Sequence, residues 1–151
     1  MKKYILCDLD GTLANVEHRL HYIKGQKKDW DAFHKACVDD PPYEDVIEIA
    51  MQLTDSDGST SGYGLHILSG RNDTVRGETE EWLRKHGVVY DGLHMRKASD
   101  RRPDPQTKAE MARELGFTPD KVLCVLDDRQ CVVDMWRENG YRCLQVQAWK
   151  E

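Results

Sequence analysis

Short apolar runs alternate along the chain with longer stretches in which apolar positions recur at close to helical spacing. YILC (4–7), GLHIL (64–68), a weaker DGLHM (91–95), VLCVL (122–126) and CLQVQ (143–147) have the length of buried strands. Between them lie EDVIEIAMQL (44–53), TVRGETEEWLRKH (74–86), QTKAEMAREL (106–115) and CVVDMWREN (131–139), which read as helices. Gly87, Gly116 and Gly140 follow three of these as stop signals. Strands alternating with helices predict an α/β fold, a Rossmann-like three-layer sandwich whose central parallel sheet is covered on both faces.

Two segments break this rhythm. Residues 14–43 are polar and aromatic, end at Pro41-Pro42, and hold at most two short helices, near His18–Ile23 and Trp30–Cys37. They predict a small helical cap inserted after the first strand. DSDGSTSGYG (55–64) reads as a surface loop. Its glycine at the fourth position and the lack of a closing glutamate argue against a calcium loop. No internal repeat is found, and 151 residues suffice for one domain, 1–151, able to bury roughly two thirds of its unfolded surface.

Composition narrows the class. With 39% hydrophobic and 32% charged residues the chain suits a soluble globular protein, and its net charge of -5 gives no general attraction for nucleic acid, so any such contact must be local. Five cysteines without a CxxC pair indicate neither a disulfide framework nor a zinc site, and suit a reducing cytoplasm. The start MKKYILCDLDG has too short an apolar core for a signal peptide, and no run approaches the ~20 apolar residues of a membrane span. Met1 and the compact ending favour a stand-alone protein over a domain cut from something larger. No GxxxxGK[ST] stretch occurs, so a nucleotide-cradling loop, and with it a kinase half, is not expected in this chain.

In an open parallel sheet, ligands bind beyond the carboxyl ends of the strands. The polar residues expected there are Asp8 and Asp10 after the first run, Ser69, Gly70 and Arg71 after the second, and Asp127, Asp128 and Arg129 after the fourth. Asp8 and Asp10, two apart, share one face of an extended chain. Four carboxylates meeting in one crevice need a cation, and an all-oxygen set favours magnesium. If Asp8 attacks phosphorus, an acyl phosphate forms and one hard displacement becomes two easier ones, with Asp10 giving and then taking the proton. Gly11 permits a tight turn, and the amides of Gly11 and Thr12 are expected to face a phosphoryl oxygen as a small anion nest. Ser69 would bond another oxygen, and a lysine should offset the charge that grows in the transition state.

DLDGT (8–12) resembles the first motif of the haloacid dehalogenase (HAD) superfamily of phosphohydrolases, ILSGR (67–71) its second and VLDD (125–128) its fourth. The resemblance implies Asp8 as nucleophile, Asp10 as acid and base, Ser69 and a lysine as phosphate binders, and magnesium held by Asp8, the Asp10 backbone carbonyl and the last acidic pair. Of that pair, Asp128 is favoured as direct ligand and Asp127 through water. Lys108, near the start of the helix before the fourth strand, suits the lysine better than Lys97 in a basic loop. DDRQCVVDMWRENGYRCLQV (127–146), with DLDGTLA (8–14) and SGR (69–71), is similar to the phosphatase domain of phage-type polynucleotide kinase-phosphatases. That family implies two arginines at the phosphatase site, at the positions of Arg19 and Arg71, whose forks suit phosphate oxygens. The expected substrate is then a 3'-phosphorylated polynucleotide end or nucleotide.

A 5'-nucleotidase or a metabolite phosphatase would carry the same chemistry. A signalling receiver domain also gathers acids and a lysine around magnesium, but it places adjacent acids after its first strand and its acceptor after the third, an order this chain reverses. Of the remaining candidates, His18 and His21 read as ordinary cap residues and Trp82 and Trp136 as core, while MRKASDRR (95–102), with four basic residues on the expected site side, suits a solvated loop better than one that follows a nucleic-acid backbone. Trp30 and Phe33 suit either base stacking or packing of the cap.

Overall fold

The structure, a computed structural model, describes residues 3–54 and 62–148. Residues 55–61 of the expected surface loop lie outside the described residues. The strands are β1 (Tyr4–Cys7), β2 (Gly64–Asn72), β3 (Gly92–Arg96), β4 (Val122–Asp127) and β5 (Cys143–Gln145). They pair in parallel in the order β3-β2-β1-β4-β5. The chain therefore runs outward from β1 to β3, then crosses back to the other side of β1 for β4 and β5. A crevice opens at such a reversal, beyond the carboxyl ends of β1 and β4. Asp8 and Asp128 follow those two ends.

Strands covered on both faces need apolar residues at every position, and β1 shows why. Ile5 and Cys7 join one core with Val46, Ile47 and Ala50 of α2 (Glu44–Leu53) and with Trp82 and Leu83 of α3 (Arg76–Lys85). Leu6 points the other way and joins Ala112 of α4 (Asp104–Glu114) and Val132, Val133 and Trp136 of α5 (Gln130–Glu138). The three-layer α/β sandwich expected from the alternation is the fold adopted. Among the described residues no helix is long and apolar enough to cross a membrane.

Of the boundaries that differ from expectation, three bear on the site or the sheet edge. β2 continues to Asn72, so Ser69, Gly70 and Arg71 lie in the strand and not in a loop after it; Ser69 sits beside Met95 and Asn72 beside Arg96, with an irregularity between. Polar residues can extend a strand here because Arg96 Nε bonds the Gly70 carbonyl at 3.0 Å, and because a side chain at Gly70 would collide with Asp104. α4 starts at Asp104, two residues before the apolar pattern does, since Pro105 in the first turn lacks an N–H that has no helical acceptor there and an acid favours that end. β5, at the sheet edge, stops at Gln145.

Between β1 and α2 the chain forms a 3-10 turn (Glu17–Tyr22), the short helix α1 (Trp30–Lys35) and a second 3-10 turn (Ala36–Asp39). Asp29 caps α1 by accepting the Ala32 amide at 2.9 Å. Backbone bonds from Asn15 to Pro41 and from Tyr43 to Leu13, both 2.8 Å, tie the two ends of this insertion together over the β1 end.

Under α4, the rings of His66 and His94 stack at 5.2 Å, with Nδ1 of one 3.0 Å from Nε2 of the other, above Gly92, where a Cβ would meet both. Burial, then the His66 and Arg76 charges, brings His94 down to about 4. As pH falls the unfolded chain takes up this proton first, near its ordinary value of about 6.5. The His94 contribution to stability is therefore intact above that pH and is lost as pH drops towards 4. Melting temperatures between those limits should fall less steeply in His94→Gln than in the parent.

Candidate active site

The turn after β1 carries the acids. Asp8 is buried, and Lys108 of α4 donates to its Oδ1 at 2.7 Å and to Asp127 Oδ2 at 3.1 Å. Thr12 Oγ1 bridges the cluster, 3.0 Å from Asp8 Oδ2 and 3.3 Å from Asp128 Oδ1. Gly11 (φ 86°) is needed twice over, since a side chain there is strained by the left-handed turn and its Cβ would lie 2.1 Å from Asp128 Oδ2. Burial, then the neighbouring Asp127 charge, pushes the Asp8 carboxyl well above the usual carboxylate range, against the pull of Lys108. Burial opposes a charge on Lys108 too, but Asp127, Asp8 and Asp104 outweigh it and hold the ammonium in place.

One oxygen of each of Asp8, Asp127 and Asp128 lies within 4.8 Å of the others, a spacing that suits a divalent ion. The last two differ. Asp127 is occupied: Oδ1 accepts the Asp128 amide at 2.9 Å, and Oδ2 accepts Lys108 and, at 3.4 Å, the Trp136 indole. Asp128 Oδ2 is buried without a hydrogen-bond partner. An orphaned buried carboxylate oxygen is costly unless a cation takes it. The residues present therefore fit a hard divalent cation such as magnesium.

Asp10 belongs to a second constellation. Its Oδ1 accepts Arg19 Nη2 at 2.9 Å and a short bond from Arg71 Nη2. Both guanidiniums also reach Asp40, a residue the sequence did not single out: Arg19 grips its two oxygens at 2.8 and 2.7 Å, and Arg71 Nη2 lies at 3.3 Å. His18 Nε2 is 2.6 Å from the same carboxylate, and the Trp82 indole donates to the Asp40 carbonyl at 2.9 Å. Burial raises the Asp10 pKa, but the Arg71 and Arg19 charges overcome it and leave it lowered to about 2.

Of the expected residues, Asp8, Asp10, Gly70, Arg71, Lys108, Asp127 and Asp128 line one cavity of about 850 Å³, together with Trp30, Phe33 and His34 of α1 and the loop at 98–103. Arg19 is buried behind it, on Asp10. Ser69 is also buried, and its Oγ accepts the Arg71 amide at 3.0 Å. Lys97 is exposed in the loop after β3, whereas Lys108 meets Asp8 directly. The anion nest expected from Gly11 and Thr12 is not formed, because their amides bond the Ala14 and Leu9 carbonyls at 2.8 and 3.2 Å and close the turn on itself. Trp82 and Trp136 are core residues as expected, yet their indole N–H groups end on site residues, the Asp40 backbone carbonyl and the Asp127 carboxylate. Gln147 Nε2 on the Gly11 carbonyl and Gln145 Nε2 on the Asp128 carbonyl brace both acid-bearing turns, at 2.8 and 3.0 Å.

A family profile for the polynucleotide kinase PNKP phosphatase domain matches residues 2–149. A protein of Autographa californica nuclear polyhedrosis virus assigned as a bifunctional polynucleotide kinase/RNA ligase is 28% identical over 135 residues, 89% of this chain and 18% of its own length. A chain in the structure of the Pnkp1/Rnl/Hen1 RNA repair complex is 32% identical, with a TM-score of 0.80 over the whole of this chain and 44% of that one. The L-2-haloacid dehalogenase of Xanthobacter autotrophicus shares the fold, with a TM-score of 0.62 at 16% identity, over 97% of this chain and 78% of its own. The chain thus spans less than half the length of either of the first two.

Proposed function

The chain belongs to the PNKP phosphatase-domain family of HAD phosphatases, and from that premise we propose that it is a magnesium-dependent phosphomonoesterase removing 3'-phosphates from polynucleotide ends or nucleotides. The observation that carries this reading is Asp8: a buried carboxylate at the end of β1, 2.7 Å from Lys108, in one cavity with Arg71 and the orphaned Asp128 oxygen. Similarity to a protein assigned as a polynucleotide kinase/RNA ligase and to a chain of an RNA repair complex favours a polynucleotide end over a metabolite.

In this reading an Asp8 oxygen attacks phosphorus, the bond to the leaving oxygen breaks, and Asp10 gives that oxygen its proton. Water then attacks the aspartyl phosphate, Asp10 takes the water's proton, and phosphate leaves with Asp8 restored. Lys108 offsets the charge gathering on the phosphoryl oxygens. Arg71 and Arg19, now on Asp10, are the forks an incoming phosphate draws off; once they turn to it, burial raises the Asp10 pKa to where it can carry a proton. Asp8, Asp128 and the Asp10 carbonyl would hold magnesium, with Asp127 acting through water. When bound, the ion neutralises charge on the phosphoryl group. The segment 14–43 acts as a small cap that leaves room for a chain end.

The test compares phosphate release, under magnesium, from a 3'-phosphorylated oligonucleotide, a 3'-mononucleotide and a 5'-mononucleotide. The two 3' compounds should turn over faster. Faster turnover of the 5' compound would replace this reading with a 5'-nucleotidase.

A further inference from the structure

The cavity lining draws apolar residues Leu20, Ile23 and Trp30 from the inserted segment, and Arg101 and Arg129 from the loops after β3 and β4. Phe33 is 7% exposed and lies under the Arg19 guanidinium, 4.3 Å from its ring centre, so it packs the cap. Trp30 keeps 49% of its surface open. His34 lies at 6.1 Å with its plane inclined 28° to the indole and Phe33 edge-on at 5.7 Å, so the indole is oriented but not covered. The exposed Lys28 ammonium, 5.9 Å from the ring centre, is at the outer limit of a cation–π contact.

The arginines divide just as clearly. Arg19 and Arg71 pair with Asp10 and Asp40, Arg96 with Asp104, and Arg102 with Asp100. Among the described residues Arg101 and Arg129 have no side-chain partner. The loop presenting Arg101 is braced by Arg96, whose Nη1 bonds the Arg102 carbonyl at 2.7 Å. A terminal phosphate over Asp8 would already have Lys108 and Arg71 in the cavity lining, with Arg19 behind them. Two further unpaired cations at the rim of a chain of net charge -5 call for a second anion.

We infer that the cavity takes the last nucleotide of a strand, its base lying on Trp30 and the phosphodiester to the next nucleotide held by Arg101 and Arg129. The inference rests on the nucleic-acid phosphatase reading and adds which residues select a strand end. Every base has a π-face, so a single exposed indole admits all four without reading sequence.

The experiment measures kcat/KM for three phosphomonoesters: a 3'-phosphorylated oligonucleotide, a 3'-mononucleotide, and glycerol phosphate, which has neither base nor diester. Trp30→Ala should lower the mononucleotide-to-glycerol phosphate ratio by about tenfold to a hundredfold, the scale of one lost stack, and Trp30→Phe should restore most of it. Arg101→Ala with Arg129→Ala should lower the oligonucleotide-to-mononucleotide ratio and flatten its dependence on salt. All three side chains are exposed, so melting temperatures should stay near the parent's. Proportional loss on all three substrates in Trp30→Ala, or an undiminished oligonucleotide preference in the double variant, overturns the inference. Should the parent prefer 5'-phosphates, the 3' reading fails, and the same ratios taken with 5'-phosphorylated substrates decide the inference separately.

Discussion

Asp8→Asn is expected to lose phosphatase activity by about 10⁴-fold or more while remaining folded and, without metal, no less stable than the parent. An amide oxygen cannot form the acyl phosphate, so the first displacement has no nucleophile. Stability runs the other way because Asp8 is buried beside two more acids and its charge is disfavoured by burial and by Asp127. Asparagine has the same shape, can offer its oxygen to Lys108 and its NH₂ to Thr12, and leaves Lys108 the Asp127 partner at 3.1 Å. Phosphate release from a 3'-phosphorylated oligonucleotide, measured beside thermal melts with and without magnesium, separates these effects. The variant should also show a smaller rise in melting temperature on adding magnesium, having lost one ligand. Near-parental activity would end the nucleophile assignment. Lost activity together with a collapsed melting temperature would make Asp8 a structural residue.

The acids were legible in the sequence because they follow apolar runs directly, and strand ends are where a parallel sheet gathers its chemistry. Lys108 was legible for a related reason: a helix just before β4 brings its first turns back to the carboxyl edge. Asp8 and Asp10 share a crevice, as their spacing predicts, but not one face. Both line the cavity, but β1 ends at Cys7, so the two carboxylates find different partners, Lys108 for one and two arginines for the other. Asp40 gave no local signal. It stands in a polar stretch before two prolines, and only the way the insertion folds back on itself brings it to Arg19, 21 residues earlier.

The same limit applies to the other surprises. The end of β2, SGRN, lacks the apolar run that marks a strand; its extended course depends on Arg96 and on the space Gly70 leaves for Asp104. The Gly11 and Thr12 amides looked available because a turn's internal bonds cannot be read from residue types. Helical spacing marks Trp82 and Trp136 as core, but it places a ring without saying where its one N–H points. In each case the pattern gave the element, and a contact distant in sequence gave the role.

Asp40→Ala should be the most damaging substitution for stability, costing about 3–5 kcal/mol, the usual consequence of removing one partner from a buried ion pair. Asp40 is 3% exposed and accepts two bonds from Arg19, one from Arg71 and a contact from His18. Without it two buried guanidiniums would share the single carboxylate of Asp10, and Arg71, whose Nε already lacks a partner, would have Thr79 and Asp10 alone. Repulsion between the forks should then turn them away from the phosphate position, and misplacement on the scale of 1 Å costs about a hundredfold in rate. Asp40→Asn keeps the shape and one acceptor oxygen, so it should fall between parent and alanine in both properties. Urea unfolding midpoints give the stability order, and kcat/KM measured well below the melting point of each variant gives the catalytic one. A loss of stability with unchanged kinetics would restrict Asp40 to packing. An alanine variant as stable as the parent would mean that Asp10 alone suffices to hold both arginines, and that Asp40 bears no part of the charge buried behind the site.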